Sequence, residues 1–485
     1  MIAFIKQHLW TILIVLNYVV AISAALIIIL KNINPTKTIS YIIVLVFFPF
    51  LGLMVYYLFG QEYRKSKIFN RKHIRNQGIV KSINKALELN NYQLKKLESN
   101  LLDDKIKLVK LLKSNEKSPL TLKNSVTVLK NGEEKFKALI NDLKQAKNHI
   151  HLEYYIFRDD HIGTEIIDIL CKKALNNVSV RMSVDDVGSR ISNQSKKRLK
   201  QSGVELYSFM PVLFAGFTGK MNYRNHRKIA IIDGKIGYVG GINISDNYIN
   251  TKTTANYWRD THLKVEGEAV SSLQIHFLTN WEFVSEQELQ VTKSLFPEVE
   301  CDTNLAVQIA ASGPDTDWAN IMEAIFTAIT TAENYVYITT PYFIPNDQII
   351  TALQVAAKSG IDVRLLIPKA SDFSTAKHAT NSYLETLLEA EVKIYRYTKG
   401  FIHAKTMVVD DVFSSVGTSN MDYRSFNINF EINALIYNET KSKELKSQFL
   451  EDISDSEEIT LTKWQNRSGF DKIKESYSRL LAPLL

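Results

Sequence analysis

A nineteen-residue segment occurs twice in this chain, and this repetition constrains the fold more than any other feature. The first copy, NHRKIAIIDGKIGYVGGIN, covers residues 225–243, and the second, IHAKTMVVDDVFSSVGTSN, covers residues 402–420. The same five residue types stand at the same offsets in both copies, 177 residues apart. The two sets are His226, Lys228, Asp233, Gly240 and Asn243, and His403, Lys405, Asp410, Gly417 and Asn420. The repetition predicts two related halves.

Each copy is typical of a buried β-strand that ends in a turn. The four residues between the Lys and the Asp are Ile-Ala-Ile-Ile in one copy and Thr-Met-Val-Val in the other. Residues i and i+2 of a strand point to the same face, so each His is expected beside its Lys. Such a pair suits an anionic substrate, because the ammonium binds phosphate oxygens while the imidazole supplies a nucleophile or a proton. Asn243 and Asn420 can add neutral donors.

Two simpler interpretations of the motif compete with this one. A single His on a strand is commonly a buried core residue, but two matching copies argue against that explanation. A metal site built from His and Asp is the other alternative, but a Lys two residues along the same face would repel a divalent cation. We therefore expect neither a metal nor another cofactor. The glycines after each Asp are typical of turns, which is compatible with a functional motif.

The pattern HxKxxxxD followed by GxxN, present twice, resembles that of the phospholipase D superfamily. The wider chain is similar to the bacterial cardiolipin synthase family, and the resemblance covers nearly all of the sequence. The doubled motif is specific for the superfamily and less specific for the substrate. The further segments that carry the resemblance are HIHLEYYIFRDD at 149–160, VDDVGS at 184–189, YWRDTHLKVEGEAV at 257–270, TTPYFIP at 339–345 and the closing RLLAPLL.

The resemblance implies a phosphatidyl transfer between two phosphatidylglycerol molecules through a phosphohistidine intermediate, giving cardiolipin and glycerol. His226 is expected to be the nucleophile and His403 the general acid and base. Lys228 and Lys405 would bind the phosphate oxygens and stabilise the transition state. The expected partners are phosphatidylglycerol and other anionic membrane lipids.

The resemblance also assigns supporting roles. Asp233 and Asp410 belong to the motif but lie beyond the strand, and the family gives them a structural, hydrogen-bonding role. Asp260, in WRDTH, and Glu431, in NFEIN, would accept the imidazole proton far from the phosphorus, with a plain salt bridge as the alternative for each.

The two copies differ in one hydroxyl next to the motif glycine. Thr418 is counted with the two motif Asn residues as a phosphate-binding residue. Gly241 stands at the equivalent position of the first copy, where many relatives have Ser or Thr. One hydroxyl donor is therefore expected instead of two.

The first sixty residues favour a membrane protein. Two uncharged runs of 24 residues, 7–30 and 38–61, are each long enough to cross a hydrocarbon core of about 30 Å as a helix. The seven residues between them, KNINPTK, are too few for a domain. A signal peptide is the alternative for the first run, but it lacks a small-residue cleavage site. We expect a two-helix transmembrane hairpin.

Basic residues follow the second run, and they predict the orientation. They place the catalytic part and both termini in the cytoplasm of a multi-pass protein of the cell membrane. Residues 62–125 carry sixteen Lys and Arg against six Asp and Glu, although the whole chain has a net charge of only +8. This basic neck is expected to contact anionic lipid headgroups, with a solvated charged helix as the alternative. The six basic residues nearest the membrane are Arg64, Lys65, Lys67, Arg71, Lys72 and Arg75.

Strand and helix signals alternate in the same order through both halves. The helix-like EEKFKALINDLKQAK leads into the strand HIHLEYYIF, and WANIMEAIFTAITTA leads into YVYITTPYFI. This order predicts a duplicated α/β fold with mixed, largely parallel sheets flanked by helices. The expected domains are the hairpin at 1–61 with spans at about 7–30 and 38–60, the basic neck at 62–125, the first half at 126–300 and the second half at 301–485.

Four other functions are consistent with parts of this pattern. A membrane-anchored phospholipase D would use the same residues but deliver the intermediate to water, and a phosphatidylserine synthase would deliver it to another alcohol. A nuclease would use the basic neck, but two membrane spans favour a lipid over nucleic acid. A membrane adaptor with an inactive fold is disfavoured because both motifs are intact.

Overall fold

The structure is a computed structural model that describes residues 2–30, 35–59, 77–89, 91–97, 102–116, 118–210, 223–251, 257–287, 289–301 and 303–482. The chain divides into two compact units, residues 1–63 and residues 64–483. The six basic residues expected next to the membrane, from Arg64 to Arg75, lie outside the described residues, and so does most of the loop between the two uncharged runs.

The first unit consists of three apolar helices, α1 (Ile2–Leu30), α2 (Pro35–Phe47) and α3 (Pro49–Phe59). In α1, residues His8–Leu30 are long and apolar enough to cross a membrane, and no other helix in the described residues meets that test. The two-helix hairpin is therefore not confirmed. The second uncharged run is divided at Phe48, because Pro49 has no N–H to continue the helical hydrogen bonds.

The shorter helices of this unit pack on the long one. Ala21 and Ile28 of α1 and Leu45 of α2 form a small buried cluster. Leu53 and Tyr56 of α3 pack against the same cluster. Most other large apolar side chains of these helices are exposed, including Trp10, Ile22 and Phe50 among many. Long, outward-facing apolar surface of this kind is typical of helices that contact lipid.

The second unit alternates helices and strands. Its helices are α4 (Gln77–Ala86), α5 (Asn91–Leu97), α6 (Ile106–Glu116), α7 (Asn131–Gln145), α8 (His161–Leu175), α9 (Asn193–Gln201), α10 (Ala269–Ser285), α11 (Asn320–Thr330), α12 (Asp347–Lys358), α13 (Ser374–Glu389), α14 (Tyr423–Asn427), α15 (Glu439–Ser454), α16 (Leu461–Gln465) and α17 (Gly469–Leu480). The strands of the first half are β2 (Asn124–Lys130), β3 (His149–Tyr154), β4 (Ser179–Asp185), β5 (Glu205–Phe209), β6 (Lys228–Ile232), β7 (Ile236–Gly240), β8 (Tyr257–Arg259) and β9 (Thr261–Gly267). The remaining strands are β1 (Leu120–Thr121), β10 (Ala306–Ser312), β11 (Tyr335–Thr339), β12 (Phe343–Ile344), β13 (Asp362–Pro368), β14 (Lys393–Tyr397), β15 (Gly400–Ile402), β16 (Thr406–Val409), β17 (Phe413–Gly417), β18 (Met421–Asp422), β19 (Glu431–Tyr437) and β20 (Ser456–Ile459).

Each half contains its own sheet, and the two sheets have equivalent strand orders. In the described residues the first sheet has the order β2-β9-β7-β6-β3-β4-β5, and the second has the order β10-β19-β17-β16-β11-β13-β14 between the edge strands β1 and β20. Each strand of the first series has its counterpart at the same place in the second. The predicted duplication of an α/β unit is confirmed.

The prediction of largely parallel sheets is wrong. In the first sheet only the pairs β3–β4 and β4–β5 are parallel, and the other four pairs are antiparallel. Helical crossovers connect the parallel strands, whereas a three-residue turn joins β6 to β7 and forces them into an antiparallel pair. The second sheet follows the same rule, with β11–β13 and β13–β14 as its parallel pairs.

A shared hydrophobic core joins the halves. It contains Ile229 and Val239 from the first sheet and Val408 and Ile432 from the second, together with residues of α10 and α15. Two further clusters lie on the other faces of the sheets, one under α7 and α8 and the other under α11, α12 and α13. Both sheets are thus covered on both faces, and the inner faces bring the two halves together.

Part of the expected basic neck belongs to the folded core. Leu102, Ile106, Val109 and Leu112 are fully or almost fully buried against the second half. Their spacing puts an apolar stripe that includes one face of α6 toward α11 and β10, while Lys107 and Lys110 of α6 are exposed. Residues 102–116 and 118–121 therefore belong to the catalytic unit as a helix and an edge strand, and only the segment before them remains a candidate neck.

The motif Asp residues bind the start of the central strand in each half. The Asp233 carboxylate accepts backbone N–H groups of residues 147, 148 and 149 at 2.7–2.9 Å. Asp410 accepts those of residues 333, 334 and 335 at 2.8–3.0 Å. Asp410 also accepts a hydrogen bond from the buried Lys105 ammonium at 3.0 Å, so the second half carries an additional ion pair. Although burial opposes it, these donors lower the pKa of Asp410.

We expect Asp233→Asn to lower the free energy of unfolding by about 1 to 3 kcal/mol, because an amide cannot accept all three backbone hydrogen bonds. Asp410→Asn should cost more, about 3 to 5 kcal/mol, because it also leaves Lys105 buried without an anion. Chemical unfolding of the purified protein in detergent measures both. Asp168→Asn, which loses only an exposed ion pair with Arg198 on the surface of α8, is the control and should change stability by less than about 1 kcal/mol. Equal losses for the two motif variants would contradict the account.

Candidate active site

Each motif His is held by backbone of the opposite half. His226 N–H donates to the carbonyl oxygen of Phe430 at 3.0 Å, and His403 N–H donates to that of Arg259 at 2.7 Å. The strand β15, just before His403, pairs in parallel with β8 of the first half. On the other side, an isolated bridge pairs Asn225 with Phe430. The two contacts are related by the same exchange of halves, as a pseudo-twofold axis requires.

Phe430 and Arg259, which supply these carbonyl oxygens, are each followed by one of the two acidic residues that the sequence analysis named. Glu431 follows Phe430, and its carboxylate lies 2.9–3.0 Å from His226 Nδ1. Asp260 follows Arg259, and its Oδ2 lies 2.8 Å from His403 Nδ1. Both carboxylates are fully buried. A carboxylate on Nδ1 fixes the tautomer that leaves Nε2 with a free lone pair, so each imidazole is oriented by the half that does not contain it.

The motif Lys residues occupy equivalent positions. Lys228 Nζ donates to the carbonyl oxygen of His226 at 2.5 Å, and Lys405 Nζ donates to that of His403 at 2.5 Å. Each ammonium thus lies next to the His of its own motif. The charge of each Lys also acts on the His of the other motif, which places all four groups in one centre.

Burial keeps this centre poorly charged. Desolvation, the largest cause, lowers the pKa of His226, and it lowers the pKa of His403 to about 3. The carboxylates oppose this effect, while the neighbouring Lys charges add to it. Desolvation also lowers the pKa of Lys228 to about 7 and that of Lys405 to about 8. At neutral pH both imidazoles are unprotonated, and the two amines titrate within the working range of most enzymes.

The motif Asp residues do not lie in this centre. Asp233 follows β6 while His226 precedes it, so seven extended residues separate them by roughly 20 Å. Asp410 stands at the corresponding end of β16. A pair so far apart cannot share a metal ion, and only the His and Lys residues of each motif lie in the shared centre.

The expected phosphate-binding residues have other partners. The Asn243 amide donates to the Tyr248 hydroxyl at 2.6 Å, and its oxygen accepts from the backbone N–H of residue 156. The Asn420 amide donates to Asp422 at 3.0 Å. The Thr418 hydroxyl donates to Glu431 at 2.5 Å, so its single proton is not directed at a phosphate. Thr418 thus hydrogen-bonds the carboxylate behind His226, and its phosphate-binding role stays a prediction, as do those of Asn243 and Asn420.

The missing hydroxyl of the first half has a steric reason. A Cβ on Gly241 would lie 2.1 Å from Asp260 Oδ1, so no side chain fits there. The shorter Asp260 approaches the glycine directly, whereas the longer Glu431 leaves space for the Thr418 hydroxyl. Gly241 therefore packs against Asp260 in one half, and Thr418 packs against Glu431 at the equivalent position of the other half.

Trp258 and Lys135 were not singled out from the sequence as parts of the centre, whereas Tyr155 lies in the segment 149–160 that the sequence analysis named. The Tyr155 ring lies 4.9 Å from the His226 ring, and the Trp258 ring lies 5.2 Å from the His403 ring, centroid to centroid. Lys135 is fully buried on α7, and its ammonium lies 4.9 Å from the centre of the Tyr154 ring. Burial lowers the pKa of Lys135, and the negative charge of Asp260 opposes that effect. The strand pattern before Tyr155 points to the first of these, but nothing in the spacing of Lys135 does.

Comparison with known proteins is consistent with this geometry. A family model described as cardiolipin synthase, phospholipase D-like domain, matches residues 139–281 and 325–453, which lie in both halves. A second model, described as phospholipase D-nuclease N-terminal, matches residues 19–61. The structure is similar to that of a phosphatidylserine synthase from Haemophilus influenzae, with a TM-score of 0.61 and 14% identity, over 78% of this chain and 100% of that one. At this identity the similarity concerns the fold alone.

Relatives of much higher identity are known by sequence. A cardiolipin synthase of Alkalihalophilus pseudofirmus is 43% identical over 95% of this chain and 91% of its own length. A cardiolipin synthase of Listeria monocytogenes is 39% identical over 99% of both chains. With the family model matching both halves and this identity over nearly the whole length, the protein belongs to the cardiolipin synthase family of phospholipase D-like proteins.

Proposed function

We propose that this protein transfers a phosphatidyl group from one phosphatidylglycerol to the hydroxyl of another, giving cardiolipin and glycerol. The observation that carries the proposal is the crossed pairing of each motif His with a buried carboxylate of the other half. Relatives named cardiolipin synthase, matched over more than nine-tenths of the chain, supply the substrate class. No metal or nucleotide enters the proposed reaction.

In the first step His226 Nε2 attacks the phosphorus and forms a P–N bond. The bond between phosphorus and the glycerol oxygen breaks, and His403 gives that oxygen a proton, so glycerol leaves as a neutral alcohol. The low pKa values of the two imidazoles leave His226 ready to attack but leave His403 without a proton. The negative charge of the bound phosphodiester, together with Asp260, favours the imidazolium form of His403 that this step needs.

In the second step His403 removes a proton from a hydroxyl of the second phosphatidylglycerol. That oxygen attacks the phosphorus, the P–N bond breaks, and His226 regains its lone pair. Lys228 and Lys405 hold the non-bridging oxygens in both steps, where a point charge in a dry site is most effective. Glu431 and Asp260 keep the two rings in the required tautomer throughout.

The membrane setting follows from the first unit. Residues 8–30 provide one apolar helix of sufficient length, and we propose that residues 38–60 complete a multi-pass hairpin despite the break at Phe48. The excess of positive charge after it supports a cytoplasmic catalytic unit and contact with anionic lipids. A substrate already in the bilayer is favoured over nucleic acid. We also propose the residue limits 1–61, 62–125, 126–300 and 301–485 for the segments, with residues 102–116 and 118–121 of the second segment packed on the second half.

Radiolabelled phosphatidylglycerol tests the reaction directly. The purified protein in detergent, without added metal or nucleotide, should convert it to cardiolipin and free glycerol in equal amounts, because each transfer releases one glycerol. Thin-layer chromatography measures both products. Phosphatidic acid as the only lipid product would instead identify a hydrolase, and turnover that requires a divalent ion would contradict the proposed chemistry.

Single substitutions provide the matched controls for that assay. His403→Ala should lower the rate by about 10²- to 10⁴-fold, the usual range for a lost proton-transfer group, and His226→Ala, which removes the nucleophile, should lower it at least as much. His161→Ala should retain the parent rate, because His161 is an exposed residue at the start of α8. A motif variant that keeps most of its activity would remove that His from the mechanism.

The low amine pKa values predict an alkaline loss of activity. Lys228 and Lys405 lose their protons as the pH rises through about 7 and about 8, and the free enzyme then loses the cations that bind phosphate. The substrate phosphodiester keeps its charge over this range. We expect kcat/KM to be highest below pH 7, to fall about tenfold per pH unit between pH 7 and pH 8 as Lys228 loses its proton, and to fall about a hundredfold per unit above pH 8, where both amines are neutral. Lys172→Met, on the surface of α8, should leave the profile unchanged, whereas a parent profile that stays flat to pH 10 would contradict the assignment.

A further inference from the structure

The last helix presents an apolar stripe to the outside. In α17, Phe470, Ile473, Tyr477 and Leu480 are 66%, 67%, 65% and 73% exposed. Their spacing of three, four and three residues puts them on one face of the helix. Isolated apolar residues on a surface are ordinary, but four large ones in one stripe form a patch that normally has a partner.

The opposite face of α17 is firmly attached to the second half. Glu475 and Ser478 are buried on α17. The Glu475 carboxylate accepts a hydrogen bond from Arg467 Nε at 2.8 Å, and the same guanidinium binds Glu385 of α13 at 2.7 Å. Just beyond the helix, Ala482 packs with Ile344 and two Ala residues of α13. The stripe is therefore exposed on a helix whose other face is fixed by packing and by ion pairs.

Positive charge borders the stripe. Lys472 and Arg479 lie on one side of it and Lys474 on the other, where its ammonium is 4.3 Å from the centre of the Phe470 ring. Helix α17 has two acidic residues. Glu475 is buried in its ion pair with Arg467, and Asp471 lies outside that pair. An apolar stripe between basic side chains matches the boundary between acyl chains and anionic headgroups.

This helix is also connected to the active centre. It packs along α13, and the loop before α13 carries Asp372 and the exposed Phe373. Asp372 accepts a hydrogen bond from the Tyr342 hydroxyl at 2.6 Å, and its charge acts on Lys405. Tyr342 in turn packs against the cluster that contains Ala482. A short chain of contacts therefore links the end of α17 to the motif of the second half.

We propose that α17 is an interfacial helix that inserts its apolar stripe into the headgroup region of an anionic phospholipid bilayer and holds the second half against the membrane. The inference rests on the proposed function in one respect, since that function requires the active centre to take a lipid from the bilayer. In this proposal the bilayer covers the apolar stripe of α17. The competing explanation is that a second copy of the chain covers it.

A fluorescent probe tests insertion without reference to activity. An environment-sensitive dye is attached to Ile473→Cys in the full chain, with Cys171→Ala and Cys301→Ser to remove the native thiols. In nanodiscs that contain phosphatidylglycerol, the emission should shift to shorter wavelength and brominated lipids should quench it. The same dye at Leu175→Cys, an equally exposed site on α8, is the control and should respond as in water. A dye at residue 473 that stays in water, or disulfide formation between copies at this position, would overturn the proposal.

Activity provides a second, separable readout. Ile473→Gln with Tyr477→Gln should lower transfer from phosphatidylglycerol in bilayers about fivefold, because the helix loses most of its interfacial affinity. Transfer from a short-chain phosphatidylglycerol below its critical micelle concentration should be unchanged, and Leu175→Gln should have no effect on either. Equal loss on both substrates would contradict a membrane role for the stripe. If the parent protein transfers neither substrate, the proposed function fails, while the probe measurement still decides whether α17 inserts.

Discussion

The hydrogen bond between each imidazole and a carboxylate of the opposite half is the interaction on which the rest of the structure depends. His226 is paired with Glu431 and His403 with Asp260, at 3.0 and 2.8 Å. Because the partners come from different halves, neither half contains a complete acid or base. The backbone hydrogen bonds from each His to the residue before its partner carboxylate fix the same register, so the chemistry and the packing of the halves are determined together.

The remaining parts of the fold serve this crossed arrangement. The shared core of two sheets with α10 and α15 holds the halves in register, and the motif Asp residues anchor the central strands far from the rings. The two ends of the motif therefore differ: His and Lys lie in the proposed reacting centre, and Asp secures the strand that follows them. Burial lowers the pKa values of both imidazoles. In the proposed reaction, their protonation therefore depends on the negative charge of the bound phosphate.

The sequence predicts the parts of this account that depend on local pattern. The doubled motif predicts the duplication, and the spacing of His226 and Lys228 predicts their proximity. Strand direction was missed because alternating helix and strand signals do not show that β6 and β7 form a hairpin. The break at Phe48 follows from Pro49. The burial of α6 follows from the spacing of its apolar residues, but the many Lys residues of the neck obscured this apolar pattern. Asp260 and Glu431 came from family resemblance alone, since residues far apart in sequence meet only in the folded chain.

The most direct test of the shared centre is a structure of the protein with a phosphate analogue such as tungstate. We predict one oxyanion per chain, bound between the motifs within about 3 Å of Nε2 of both His226 and His403, with both Lys ammonium groups on its oxygens. Two oxyanions, each held by the His of a single motif, would show two independent sites and contradict the account.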